Sequence, residues 1–407
     1  MNICLFTENY FKGGLDTFII NLINEWPSKQ DALTLYCNNS HPGIGNIIRD
    51  THRPFIFKSY NKIFTTKLSS PHYNFSGSLF LFRFFTLVYK FIKYPILFPW
   101  YILTLTLHFK KSNFERLMVI SGGYSGSILC QSALIAWKLS GKKKLGIFNF
   151  HNFAVKPKWY FKIPELFIDK AVSLSSGSIV SVSKKCIDSL ISKRAFSSNS
   201  KLKFIHNGIQ DPLSINLIKK SKESNINLKK PFCLMLGTLE ERKGHNFLLK
   251  SFKIVIDKKP DAILQIFGDG NYNEKTNIQN MIKELNLQNN VFLNNYDPNT
   301  SKLFMNASLL LVPSQRFESF GLTIVEAMAY STPVVATDTG GIPEVIGKSN
   351  AGFICEKDNF IKFAHLILKI LNNEDLALKM GESGRREFEK KFRAINMVSK
   401  YEAIIKK

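Results

Sequence analysis

The chain has 407 residues, more than one ordinary core holds and enough for two or three domains. With 45% hydrophobic and 21% charged residues it is neither a disordered chain nor a collagen, and its size excludes a small disulfide scaffold. The formal charge is +24, from 55 Lys+Arg against 31 Asp+Glu, which implies an anionic partner: nucleic acid, an anionic membrane surface or a phosphorylated substrate.

The opening MNICLFTENYF lacks a basic stretch followed by an apolar one and reads as a first strand, so no cleaved leader and a cytoplasmic chain are expected. Short apolar runs bounded by Gly, Asn or Ser then recur at Asn2–Phe6, Leu33–Cys37, Leu117–Ile120, Leu145–Phe150, Ser178–Ser183 and Lys203–Ile205. A second set follows at Phe232–Gly237, Ala262–Phe267, Val291–Leu293, Leu309–Val312, Pro333–Ala336 and Gly352–Ile354. Such runs are the mark of parallel strands buried on both faces. Helical periodicity at Phe18–Trp26, Asn246–Asp257 and Asn277–Leu285 fills the gaps, so the fold class is α/β and doubly wound.

Residues 79–109 are very apolar and aromatic, with Arg83, Lys90 and Lys93 recurring at helical spacing. The longest stretch free of Lys and Arg, Tyr94–Phe109, has 16 residues and contains Pro95 and Pro99, whereas a spanning helix wants about 20. Two readings stand side by side: a buried helix pair, or a monotopic surface dipping into an anionic leaflet. The charge supports an asymmetry: residues 1–206 carry 27 basic and 9 acidic residues, residues 207–407 carry 28 and 22. The polar stretch 211–230 breaks the repeat and reads as a linker. The expected division is therefore a first Rossmann-like, acceptor-binding domain at 1–206, a linker at 207–230, a second Rossmann-like domain at 231–385, and a C-terminal helix at 386–407 able to cross back to the first. Ligands of open α/β sheets bind beyond the carboxyl ends of the strands, so two such sheets facing across a cleft suit two substrates. The six cysteines include no CxxC pair and read as buried free thiols.

The most informative segment is PSQRFESFGLTIVEAMAYSTPVVA, 313–336. Gly321 stands at a strand-to-helix turn, and Leu322–Tyr330 is apolar nearly all round, hence a buried helix. A carboxylate inside it, Glu326, is costly unless satisfied, and no basic residue lies within helical reach. A pair of sugar hydroxyls would satisfy it. Glu318 lies eight residues earlier, about 12 Å away if one helix held both, too far for a shared acid–base task. Between them the free amides of Gly321 and Leu322 form an anion site. Carboxylate, helix N-terminus, carboxylate suits a sugar, a diphosphate and a ribose in that order.

The Glu-x7-Glu spacing in FESFGLTIVEAMA, followed by STPVVATDTGGIPEVI, resembles the donor site of glycosyltransferase family 4 (glycosyl transferases group 1), retaining enzymes of the GT-B fold. GTLEERKGHNFLLKSF, IFGDGNY and FIHNGI resemble further pieces of that family, so the likeness runs through nearly all of the C-terminal half. It implies that Glu318 faces the donor sugar, Glu326 binds the ribose, the Gly321 and Leu322 amides hold the diphosphate and Lys243 neutralises the leaving group. Gly268 matches the strand-end glycine. Many members carry an Arg where this chain has Thr238, which leaves Arg242 as the nearest substitute cation. In the first half FKGGLDTFIINL, with Gly13 and Gly14, resembles the family's first glycine loop, and His151 in FNFHNFA stands where a His near the donor sugar is common. A second glycine loop, ISGGYSGS, follows an apolar strand at 120–127.

No Asp-x-Asp occurs, so a metal-held diphosphate is not supported and no cofactor is expected beyond a UDP- or GDP-sugar donor. The implied function is retaining transfer of a sugar to a glycan or lipid-linked acceptor in bacterial surface polysaccharide synthesis, at the inner face of the cytoplasmic membrane. The alternatives are a non-catalytic basic protein of nucleic acid or membranes, and a GT-B epimerase or phosphorylase. The basic residues are scattered without a helix-turn-helix, finger or RNP pattern, so no nucleic-acid partner is expected.

Overall fold

The computed structural model describes residues 1–60, 92–213, 232–297 and 299–407. Arg83, Lys90 and the rest of 79–91, and the expected linker from 214 onward, lie outside the described residues. The chain divides into two compact units, Met1–His206 with Val398–Lys407, and Asn207–Met397.

The first unit is built on a wholly parallel seven-stranded sheet: β1 (Asn2–Glu8), β2 (Ala32–Asn38), β3 (Ile56–Tyr60), β4 (Arg116–Ser121), β5 (Gly146–Phe150), β6 (Ser176–Ser181) and β7 (Leu202–Phe204). Their order is β3-β2-β1-β4-β5-β6-β7. The order reverses between β1 and β4, which makes the carboxyl end of β1 a switch point where ligands bind in such sheets. Strands β1 and β4 are almost wholly buried because helices cover both faces. The missed strand is β3: it lies at the sheet edge, and Ile56 is half exposed, so its residues show no apolar run.

Helix Ile128–Leu139 is buried from Ile128 to Trp137, with Phe98–Lys111 and Lys162–Ser175 packed on it. Beside it Arg194 is fully enclosed and paired with Asp169 and Glu165. The last residues belong to this unit too: Asn149 Nδ2 donates to the buried Tyr401 hydroxyl at 2.8 Å.

The described part of 79–109 packs one side inward and leaves the other exposed. Pro95 lies in a π-helical turn, Lys93–Leu97, and Pro99 in the first turn of Phe98–Lys111, where a missing N–H costs nothing. Tyr101 and Phe109 face the core while Trp100, Leu103 and Leu107 face solvent. Lys93 is turned inward: it donates to the Tyr94 hydroxyl at 3.1 Å, and burial lowers its pKa. Among the described residues no helix is long and apolar enough to cross a membrane.

The second unit carries a parallel six-stranded sheet: β8 (Phe232–Leu236), β9 (Leu264–Phe267), β10 (Val291–Asn294), β11 (Ala307–Val312), β12 (Val334–Thr337) and β13 (Gly352–Cys355), in the order β10-β9-β8-β11-β12-β13. Helices His245–Lys258 and Phe360–Leu371 pack together on it, with Phe247 edge-on to Phe363. All six cysteines are free and buried.

Candidate functional site

The loops at the carboxyl ends of β8, β9, β11 and β12 converge because glycines let their backbones touch. A β-carbon at Gly268 would lie 1.8 Å from the Gly237 carbonyl oxygen, and the Gly237 amide donates to Phe267 at 3.0 Å. These contacts lace the ends of β8 and β9. After β8 the chain makes a short turn, Glu241–Lys243, closed by Gly244 at φ +81°. Only glycine fits there, since a β-carbon would sit 2.0 Å from the Pro313 carbonyl oxygen. The Gln315 amide donates to the Arg242 carbonyl at 2.9 Å, so the turn is pressed against the loop that leaves β11.

That loop is fastened from its other side. The Ser314 carbonyl accepts from Thr337 Oγ1 at 2.5 Å and Thr339 Oγ1 at 2.8 Å. The Gly341 amide donates to the Glu318 carbonyl at 2.8 Å. The outcome is an ion pair between residues 75 positions apart: Lys243 Nζ donates to Glu318 Oε2 at 2.6 Å, both side chains partly enclosed.

Glu318 and Glu326 are not on one helix. Gly321, at φ +94°, turns the chain, and the helix is Leu322–Ala329. Its N-terminus has no side-chain cap, and the Gly321 and Leu322 amides have no acceptor among the described residues. One turn further in, Glu326 makes no side-chain hydrogen bond or ion pair among the described residues, and burial pushes its carboxyl up to about 7. Ile324, Val325, Ala327 and Met328 around it are fully buried, as the apolar composition of the helix requires.

Arg242 is already engaged: Nε donates to Glu240 Oε2 at 2.5 Å, and the guanidinium lies 5.4 Å from the Phe317 ring centre. Thr238 donates to the same Glu240, through Oε1 at 3.0 Å. Outside the motifs, Tyr296, half exposed after β10, has its pKa raised by burial and by the charges of Glu326, Asp297 and Asp269. No sequence pattern marks that loop. His245 and Ser314, also unmarked, are buried, and the His245 ring nitrogens and Ser314 Oγ have no side-chain partner among the described residues.

In the first unit Gly13 and Gly14 are exposed, and nothing lies within 4 Å of a β-carbon built on Gly13. The Gly13 amide donates to Asp16 Oδ2 at 3.2 Å, and Asp16 Oδ1 meets His41 Nε2 at 2.9 Å. His151 follows β5 directly. Asn149 spends its amide hydrogens on Tyr401 and Val180, so its oxygen accepts from His151 Nε2 at 2.6 Å. The Phe18 ring stands edge-on to the imidazole at 4.3 Å, and burial drives its pKa down to about 3. Burial thus favours the neutral imidazole, which meets Asn149 as a hydrogen-bonding group. In the 120–127 loop, Ser127 caps helix Ile128–Leu139 by accepting from the Cys130 amide at 3.1 Å.

Residues 218–387 match the family described as glycosyl transferases group 1. The chain is 29% identical over 208 residues to N-acetyl-alpha-D-glucosaminyl L-malate synthase of Bacillus anthracis, covering 51% of this chain and 54% of that one. It is 30% identical over 162 residues to the capsular polysaccharide biosynthesis glycosyltransferase CapM of Staphylococcus aureus, covering 39% and 41%. The chain thus spans about half the length of these curated relatives. Among solved structures, Anabaena HepE in complex with UDP and glucose superposes with a TM-score of 0.73 at 15% identity, over 100% of this chain and 99% of that one.

Proposed function

We propose that this chain, which has the GT-B fold and matches the glycosyl transferases group 1 over residues 218–387, transfers a sugar from a UDP- or GDP-sugar to a glycan or lipid-linked acceptor, with retention at the anomeric carbon and without a metal. The observation that carries this reading is the trio on the second unit: a Lys243–Glu318 pair, an uncapped helix N-terminus, and a half-buried Glu326 with no side-chain partner among the described residues. Each member lacks something a nucleoside diphosphate sugar supplies. Ribose hydroxyls donate to Glu326, and phosphate oxygens accept from Gly321 and Leu322. Lys243 exchanges part of its bond to Glu318 for the leaving phosphate, where charge develops in the transition state. Glu318 then accepts from a sugar hydroxyl, Arg242 remains a reserve cation, and the strand end at Gly268 admits the nucleotide. The C1–O bond to the diphosphate breaks as the acceptor oxygen bonds to C1, and the acceptor proton passes to the leaving phosphate oxygen. On the first unit, His151 and the Gly13–Gly14 loop lie beyond the carboxyl ends of β5 and β1, where such sheets bind ligands, and we take them as hydrogen-bonding groups for a substrate of that unit.

The same role fits surface polysaccharide synthesis, with the basic first unit lying at the inner face of the cytoplasmic membrane. The test is a melting-temperature screen against sugar nucleotides: a donor at about 100 times its Kd stabilises by about 2.7 kcal/mol. The stabilising sugar nucleotide is then hydrolysed slowly without acceptor, and EDTA does not stop it. If no sugar nucleotide stabilises the protein, or if chelation abolishes turnover and manganese restores it, the scheme is wrong.

A further inference from the structure

Between β5 and β6 the chain passes through a turn, Trp159–Phe161, and the helix Lys162–Ser175. The outward side is apolar: Trp159 is 86% exposed, Ile163 70%, Phe167 65% and Leu174 65%. Ile163, Phe167, Lys170 and Leu174 follow at steps of four, three and four, a single helical stripe. The charges of the segment are sorted by sign. Glu165 and Asp169 are buried against Arg194, whose guanidinium donates to Asp169 at 2.7 and 3.0 Å and also to Glu165. Lys156, Lys158, Lys162 and Lys170 are all exposed. Every acid is thus neutralised inside, and every charge shown to solvent is a lysine.

The neighbouring helix repeats the arrangement. Ile96, Trp100, Leu103 and Leu107 are about half exposed at steps of four, three and four, and the helix ends in exposed Lys110 and Lys111. Tyr94 joins the two elements: its ring meets Phe161 at 4.9 Å, and its hydroxyl donates to Glu165 at 2.5 Å. Residues 51–170 contain 18 Lys+Arg and three acids, of which Glu115 alone is exposed.

An apolar face this extended marks an interaction surface. Its cations decide the partner. Protein interfaces favour Arg and disfavour Lys, whereas a bilayer interface takes Trp and Tyr at headgroup level with lysines reaching the phosphates. We propose that the 155–174 segment, continued by the 96–111 stripe, is the surface by which the first unit lies on an anionic bilayer. Trp159, Ile163 and Phe167 enter the headgroup–acyl boundary, and Lys156, Lys158, Lys162 and Lys170 meet lipid phosphates. This rests on the peripheral-membrane reading above and is independent of the donor site.

The experiment uses the full chain with Trp100→Phe, which leaves Trp159 as the one strongly exposed tryptophan, since Trp26 and Trp137 are buried. Vesicles of phosphatidylglycerol and phosphatidylcholine shift its emission to the blue, salt reverses the shift, and phosphatidylcholine alone leaves it unchanged. A basic residue near the surface is worth about 1 kcal/mol, about fivefold, so Lys162→Ser with Lys170→Ser weakens vesicle binding about 25-fold. Phe167→Ser weakens it further. Because these positions are exposed, circular dichroism and donor hydrolysis in solution stay unchanged. If vesicles still sediment the protein while Trp159 emission does not move, this surface is wrong and the membrane contact lies elsewhere. If no vesicle sediments it at low salt, the membrane reading falls as well and the donor site is untouched.

Discussion

Glu326→Gln separates a structural carboxylate from one held ready for a ligand, because the two effects of the substitution have opposite signs. Burial raises the carboxyl from its usual 4.5 to about 7. Between those values the folded protein holds a proton that the unfolded chain has released, so stability falls as pH rises through this window and the full cost is present above 7. At 1.36 kcal/mol per unit the cost has an upper bound of about 3 kcal/mol. The residue keeps part of its surface, so about half of that is expected. For the second unit, about 190 residues, this corresponds to roughly 3–6 °C. Glutamine carries no charge at any pH. The variant should therefore melt above the natural protein at pH 8 by that amount and at pH 5 by only about a quarter of it. Donor binding should move the other way: hydrogen bonds to a charged group are worth about 1.5–3 kcal/mol, so the variant loses roughly 10-fold or more in affinity at pH 8. Scanning fluorimetry at the two pH values, with and without the donor, and calorimetric titration read both effects. A variant no more stable at pH 8 would mean that the carboxylate is partnered or solvated. Unchanged donor affinity would mean that it does not meet the ribose.

Lys243→Met should lower kcat about 10²–10³-fold with a smaller change in donor KM, because the ammonium stabilises charge that appears only on departure of the diphosphate; a change confined to KM in steady-state kinetics would contradict that role. His151, lowered to about 3 by burial, contributes stability that is complete above about 6.5 and is lost as pH falls toward 3. Urea melts at pH 5 and 7.5 should show His151→Gln to be less acid-sensitive than the natural protein, and kcat should show no ionisation limb near 6.5. Arg194→Met leaves two enclosed carboxylates unpaired and should cost about 3–5 kcal/mol in chemical denaturation. Adding Glu165→Leu and Asp169→Leu should recover part of it; a loss under 1 kcal/mol for the single variant would mean water reaches the cluster.

Much of the architecture is written in local pattern. Strands such as Ile3–Phe6 and Leu309–Val312 are buried on both faces, so their sequence must be a continuous apolar run, and such runs are legible. Strand β3 was not, because an edge strand with half-exposed residues leaves no such run. Helix Leu322–Ala329 announced its burial and the cost of Glu326 through composition alone. That the carboxylate has no side-chain partner among the described residues is a tertiary fact, since distant cations in the fold had the chance to reach it. The Lys243–Glu318 contact spans 75 residues and exists because Gly244 lets one turn touch the Pro313 carbonyl, a proximity with no local signature. On the first unit, the sequence shows lysines, aromatics and two acids mixed within one helix. Only packing, by drawing Glu165 and Asp169 onto Arg194, sorts them into a neutral inside and a purely basic, apolar outside.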